Sequence, residues 1–296
     1  MIRCERSSLP PDPAVTGLEP AEDRRMWLDR RYRGLLVAAG LKAFDEVMAT
    51  SQGRCLRALS DRENWRLELH HPHHPPRGAF LKKHHVRTWA TWLRAQVGAD
   101  PGETAGRAEA RNVRRLTADG IAVMDLIAFG ERLHRNGRLE SFVLTRELTG
   151  YTPMDHFLAG RFKPLADRGS GRDGDLRALI RRIAEITRRF HEAGYNHRDL
   201  YCGHFFIKED APGSYDVKLI DLQRVQHRRR FRRRWIVKDL AQLAWSASRF
   251  HISCADRIAF MRHYFGVGKL GDGDKRLIRA VLAKQGRMER KLGYGP

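Results

Sequence analysis

Cysteine is scarce in this sequence: Cys4, Cys55, Cys202 and Cys254 stand far apart in 296 residues and form no CxxC pair. That spacing suggests neither a disulfide framework nor a zinc site, and reduced thiols are the expected state. Long apolar runs are missing too. The longest, LLVAAGL, contains Gly40 and falls far short of the roughly 20 residues a membrane-spanning helix needs. The opening MIRCERSSLPPDP is polar and proline-rich, without the apolar segment of a signal peptide. We therefore expect a chain that stays in the cytoplasm or meets a membrane from that side only. Acids are in the minority, 35 Asp and Glu against 56 Lys and Arg, a net charge of +21. Such a field attracts nucleic acid, anionic lipid or phosphorylated ligands, and charge alone does not choose among them.

What is present has a clear order. Residues 1–22 hold PPDP and GLEP and read as a mobile tail. From Met26 to Met48 apolar residues recur at roughly helical spacing, and Gly40 divides the stretch into two short helices. CLRAL (55–59), WRLEL (65–69) and GAFLKKHHV (78–86) read as strands, the first two joined by the turn-rich SDREN. The loop HHPHHPP before the third lacks the spacing of convergent metal ligands and reads as a solvated connector. A helix over about 103–118 carries Glu109, and IAVMDLIAFG (121–130) and SFVLTREL (141–148) read as two more strands. Beyond 149 the pattern turns helical, with Leu176, Leu179, Ile180, Ile183, Ile186 and Phe190 on one face of a long helix closed by Gly194. The expected architecture is α+β: a β-rich first lobe over 23–148 and a mainly helical second lobe over 149–296. This is the bilobal order of a protein-kinase-like fold.

Phosphoryl transfer asks a protein for positioning and charge neutralisation, and each part has a candidate in the expected order. Lys82, on the third strand, is placed to reach the α/β phosphates of ATP, with Glu109 as its ion-pair partner; Lys83 should face the opposite side. No GxGxxG precedes Lys82, so the phosphate loop would be SDREN, through backbone N–H groups and the Ser60 hydroxyl. Glu147 and Leu148 lead into a hinge where an adenine ring could sit. In NHRDLYCGHFF, Asp199 is the candidate base for the acceptor hydroxyl, and His197 and Arg198 are scaffold. Asp221 in LIDLQRV takes the magnesium-binding place although DLQ stands where protein kinases have DFG, and Asp239 in WIVKDLAQL tethers the catalytic loop. His204 stands where protein kinases carry Asn; magnesium prefers oxygen, and manganese accepts nitrogen more readily. After Asp221 there is little room for a peptide-docking loop and no APE motif. The space holds RRRFRRRW (228–235), whose Arg228, Arg230, Arg232 and Arg233 would meet an anionic acceptor or a membrane surface.

FLKKHH, NHRDLYCGHFFI, LIDLQRVQ and RRRWIVKDLAQL together resemble the lipopolysaccharide core kinases, the Kdo and heptose kinases of Gram-negative bacteria, over roughly residues 40–265. The resemblance implies ATP-dependent phosphorylation of an inner-core sugar hydroxyl. By matching motif it assigns Lys82, Glu109, Asp199, His204 and Asp221 to nucleotide, base and metal, and it makes His204 the family's own choice. It implies a lipid-linked inner-core saccharide as acceptor and an anionic membrane surface as platform, peripherally on the cytoplasmic face of the inner membrane. Neither nucleic acid nor an obligate protein partner is expected. The competing readings are an atypical Ser/Thr protein kinase with an RNA-facing basic surface, and a nucleotide-binding pseudokinase. Retention of Lys82, Asp199 and Asp221 together argues against the last.

Overall fold

The structure, a computed structural model, describes residues 17–99, 102–161, 170–250 and 252–292. It contains two compact units. One is drawn from residues up to Ala118 and from Met124–Thr149, the other from Asp119–Val123 and from Gly150 onward.

The first unit is built on an antiparallel sheet. Its strands are β1 (Glu19–Pro20), β2 (Met26–Leu28), β3 (Arg54–Ala58), β4 (Arg62–His71), β5 (His74–Arg87), β6 (Leu126–Leu133) and β7 (Arg138–Arg146), in the order β1-β2-β6-β7-β5-β4-β3. On one face lie α1 (Arg33–Ala38) and α2 (Phe44–Ala49), separated at Gly40, whose φ of 71° suits glycine. Their Leu36, Phe44 and Val47 close a core with Leu67, Leu69, Leu81, Phe142 and Leu144. The short α3 (Trp89–Gln96) follows β5, and α4 (Ala105–Ala118) packs on the sheet so tightly that a Cβ at Gly106 would stand 2.5 Å from the Phe142 carbonyl oxygen.

Four expectations change here. Residues 1–16 of the expected tail lie outside the described residues, but Glu19–Pro20 already pairs with Trp27 and Leu28, and Ala21 is buried. Backbone pairing needs no apolar side chain, so composition did not show it. The first segment of the supposed helix, at 26–28, is a strand joined to β6, with Met26, Trp27 and Leu28 all buried. The histidine loop is a hairpin turn: β4 runs through His71, β5 begins at His74, and the two residues pair. Finally, IAVMD does not extend β6; Val123 bridges Leu219 and the Ala122 carbonyl accepts from the Leu219 N–H, which ties this stretch to the second unit.

The second unit begins with β8 (Thr152–Pro153), α5 (Met154–Arg161) and α6 (Ser170–Glu192). Short β9 (Tyr195–Asn196) pairs with β12 (Gln226–His227), and the hairpin of β10 (Phe205–Ala211) and β11 (Ser214–Leu219) lies between them in sequence. Helices α7 (Arg233–Ala247), α8 (Cys254–Phe265) and α9 (Asp272–Leu292) complete it. Ala184, Leu240, Trp245, Tyr264, Val281 and Met288 bury one another in its core.

Candidate active site

Alternation along β5 decides the first cluster. Lys82 and Lys83 face opposite sides of the sheet, as successive strand residues must. Lys82 Nζ reaches Glu109 Oε1 at 2.8 Å and Oε2 at 3.1 Å, and Glu109 is fully buried on α4. A carboxylate so buried is tolerable only with such a partner, so the contact fixes where the Lys82 ammonium stands. Lys83 instead donates to the Thr50 carbonyl at the C-terminus of α2, at 2.6 Å, and lies 5.2 Å from the Trp65 ring centre. Burial pulls its pKa down, with Glu63 working against the shift.

The other candidates in this unit are placed less simply. Ser60 sits in the β3–β4 turn, which is tighter than SDREN suggested because Arg62–Asn64 already pair in β4. There it lines a concavity with Lys83, Glu63 and Thr50, on the Lys83 side of the sheet. Glu147 has its carboxylate engaged by Arg66, Nε to Oε1 at 2.7 Å and Nη2 to Oε2 at 2.8 Å, and its N–H donates to the Gly78 carbonyl. Leu148 follows, half-buried.

In the second unit, α7 organises the catalytic loop from beneath. Asp239 is fully buried, and its carboxylate accepts the N–H groups of His197 (2.7 Å) and Arg198 (2.8 Å), with His191 Nε2 at 3.4 Å. Arg198 must take a left-handed backbone for this, at φ 72°. Gln242 Nε2 donates to the Tyr201 hydroxyl and Ser246 Oγ accepts the Cys202 N–H, so three residues on one face of α7 hold three points of the loop. His197 is buried under this loop, its Nε2–H donating to the Ile220 carbonyl just before Asp221. Asp221 has φ 57°, a second left-handed backbone beside the loop.

Asp199, His204 and Asp221 are thereby brought together. His204 Nδ1–H donates to the Asp199 carbonyl at 2.6 Å, and its ring stacks on His197 with centroids 5.5 Å apart. That bond fixes the tautomer of the neutral ring and turns the Nε2 lone pair toward Asp221 Oδ2, 3.8 Å away. His204 Nε2 and Asp221 Oδ2 are two donors of a kind a divalent cation takes, and among the described residues no third His, Cys, Asp or Glu gathers with them.

Two residues beside Asp199 escaped the sequence reading. Arg224 Nη1 donates to Asp199 Oδ2 at 2.8 Å, and Lys238 Nζ stands 3.8 Å from Oδ1 while donating to the Arg198 carbonyl. Burial holds the Lys238 ammonium below its usual pKa, and the Asp199 carboxylate pulls it back up. Their signals were present, an arginine directly after DLQ and a lysine directly before Asp239, but a basic chain offers too many such residues to single them out.

The arginine run divides. Arg230 and Arg233 are exposed, with Phe231 between them 87% exposed. Arg228 is engaged with Gln226 and lies over the Trp235 ring, as Arg198 and Arg234 do. Arg232 turns inward: its Nε and Nη2 are buried without a hydrogen-bond partner among the described residues.

Comparison with known proteins decides what this arrangement belongs to. The lipopolysaccharide kinase (Kdo/WaaP) family matches residues 46–264. This chain is a lipopolysaccharide kinase. It is 34% identical over 224 residues to the lipopolysaccharide core heptose(I) kinase WaaP of Pseudomonas aeruginosa, covering 74% of this chain and 80% of that protein. To the Escherichia coli K12 heptose(I) kinase WaaP it is 30% identical over 258 residues, 85% and 93% of the two chains. A solved structure of WaaP in complex with acyl carrier protein superposes with a TM-score of 0.67 at 29% identity, over 90% of this chain and 99% of that one. The fold is the bilobal kinase-like α+β fold, and the enzyme transfers phosphate from ATP to a sugar hydroxyl of the lipopolysaccharide core.

In this kinase the buried His197 should make the fold acid-sensitive. Burial, then the neighbouring His204, pulls its pKa down to about 4. Between about pH 6.5 and pH 4 the unfolded chain protonates this imidazole while the folded chain does not, so stability falls on acidification. The loss reaches on the order of 3 kcal/mol at the low end. His84, buried on β5, shifts the same way. Chemical denaturation at pH 7 and pH 5 should show the loss, and His197→Gln should lessen it by removing one of the two histidines. An unchanged pH slope in that variant would assign the acid sensitivity elsewhere.

Proposed function

We propose that the acceptor is the heptose(I) hydroxyl of the inner core rather than Kdo. The observation that carries this is identity of 30–34% to heptose(I) kinases over most of both chains. Asp199 accepts the proton of the sugar hydroxyl. Arg224 and Lys238, on its two oxygens, orient the carboxylate and offer positive charge to the phosphoryl group in transfer. Lys82, held by Glu109, binds the α/β phosphates of ATP. Asp221 and His204 would hold magnesium, which when bound neutralises phosphate charge. Arg230 and Arg233 meet the anionic acceptor.

Two partners follow from the same reading. No helix among the described residues is long and apolar enough to cross a membrane, and the enzyme works peripherally on the cytoplasmic face of the inner membrane. Acyl carrier protein is the second partner. The solved WaaP structure is a complex with acyl carrier protein, and the second unit here holds an apolar cavity of about 320 Å³, walled by Leu179, Ile183, Leu243, Met261 and Leu282, that would take an acyl chain.

The decisive assay offers radiolabelled ATP with heptosylated core lipid, Kdo-lipid A lacking heptose, and a generic basic protein. Label should enter the heptosylated acceptor alone; equal labelling of Kdo-lipid A or of protein overturns the assignment. In the same assay His204→Asn, which exchanges an imidazole for an oxygen donor, should retain turnover and shift its preference from manganese toward magnesium.

A further inference from the structure

Helix α3 is built inside out. Thr91 is its buried residue, and Ala95, one turn later, is half-buried. The large apolar side chains look the other way: Trp89 is 74% exposed, Trp92 44%, Leu93 41% and Val97, just past the helix end, 63%. Positions 89, 92, 93 and 97 follow the i, i+3, i+4, i+8 spacing of one helical face, opposite Thr91 and Ala95. A soluble helix ordinarily buries such a stripe, and single exposed leucines need no explanation whereas a contiguous patch with two tryptophans does.

The stripe is firmly mounted. Thr88 and Thr91 cap the helix reciprocally, each accepting the other's N–H. Trp92 sits against Gly137 in the β6–β7 turn, where an added Cβ would come 2.5 Å from the Trp92 Cα, and Gln96 donates to the Arg135 carbonyl. The outward face is therefore a fixed feature of the fold. Around it stand the exposed Arg87, Arg94 and Arg135, and Arg138, which also pairs with Glu140 at 2.8 Å.

We propose that α3 is a bilayer-docking element, whose tryptophans, Leu93 and Val97 enter the headgroup region of an anionic membrane while the surrounding arginines meet its phosphates. Tryptophan favours that interface, a short amphipathic helix lies flat in it, and arginine near an anionic surface adds to the attraction. A second copy of the chain is the poorer occupant. Four side chains are a small patch against the roughly 20–30 residues a side of a stable protein interface, and like-charged arginines would face each other across it. The proposal deepens the reading of a lipid-linked acceptor and rests on it for its purpose, but its test needs neither ATP nor acceptor.

Flotation with vesicles of phosphatidylethanolamine and phosphatidylglycerol, and separately of phosphatidylcholine, tests it. The wild-type chain should float with the anionic vesicles and much less with the zwitterionic ones. Trp89→Ser/Trp92→Ser/Leu93→Ser should weaken anionic-vesicle binding by about tenfold or more, the scale of losing several buried apolar side chains. Brominated lipid should quench tryptophan fluorescence in the wild type and less in the variant. Trp89→Ser alone, at the most exposed position, supplies a variant whose folding is not in question and should lose binding by about threefold. Wild-type flotation by both variants would overturn the proposal, as would a variant whose only change is conversion of a dimer to a monomer. Turnover on a soluble, delipidated acceptor should stay unchanged in both variants. Loss of that turnover in the wild type would count against the acceptor assignment and leave the docking result standing.

Discussion

Asp199→Ala should lower turnover by about 10²–10⁴-fold, the contribution of a positioned acid–base group, while ATP affinity stays near the wild-type value. The carboxylate is set between Arg224 at 2.8 Å and Lys238 at 3.8 Å, on a loop whose backbone is pinned from α7. On the mechanism proposed above, its removal takes away the group that would receive the hydroxyl proton and leaves Arg224 and Lys238 without their partner. Steady-state turnover together with nucleotide binding by calorimetry separates the two effects. Arg224→Ala should cost less, because Lys238 remains beside Asp199 to supply positive charge. Wild-type turnover in Asp199→Ala would remove this loop from the chemistry and with it the kinase mechanism drawn here.

Asp239→Ala should be the most damaging change away from the reacting groups. Its carboxylate is fully buried and satisfies the N–H groups of His197 and Arg198, which have no other acceptor among the described residues. Truncation leaves two buried donors unpaired, at about 2–5 kcal/mol in total. The left-handed Arg198 would relax once its anchor is gone, and Asp199 follows it in the chain. Melting temperature and turnover should therefore fall together. Asp239→Asn keeps one acceptor oxygen and should recover part of both. A melting curve and turnover unchanged in Asp239→Ala would show that the loop is held by its other contacts, Gln242 to Tyr201 and Ser246 to Cys202.

Much of the site could be read before any coordinates because its parts lie in short segments. Strand alternation alone sends Lys82 and Lys83 to opposite faces, and a helix following that strand offers Glu109 as the nearest partner. The spacing from Asp199 through His204 to Asp221 spans a loop, one hairpin and a turn, so local geometry limits where each can point. The β-pairing of Glu19–Pro20 and of His71 with His74 was not readable in the same way, since those ladders are made by backbone groups that every residue carries. Nor was the departure of Ile121–Val123 to the second unit, because an apolar run states that it will be buried but not against what.

The sequence by itself determined the order of the lobes, the two carboxylates and the lysine proposed for the kinase reaction, and a charge of +21, all properties of residue type and spacing along the chain. Tertiary structure decided where the cations stand: Arg224 and Lys238 meet at Asp199, Arg232 turns inward and Arg230 stays exposed. It also decided that α3 turns its tryptophans outward. Amphipathic spacing defines a face, and only packing against a particular sheet says which face is inside.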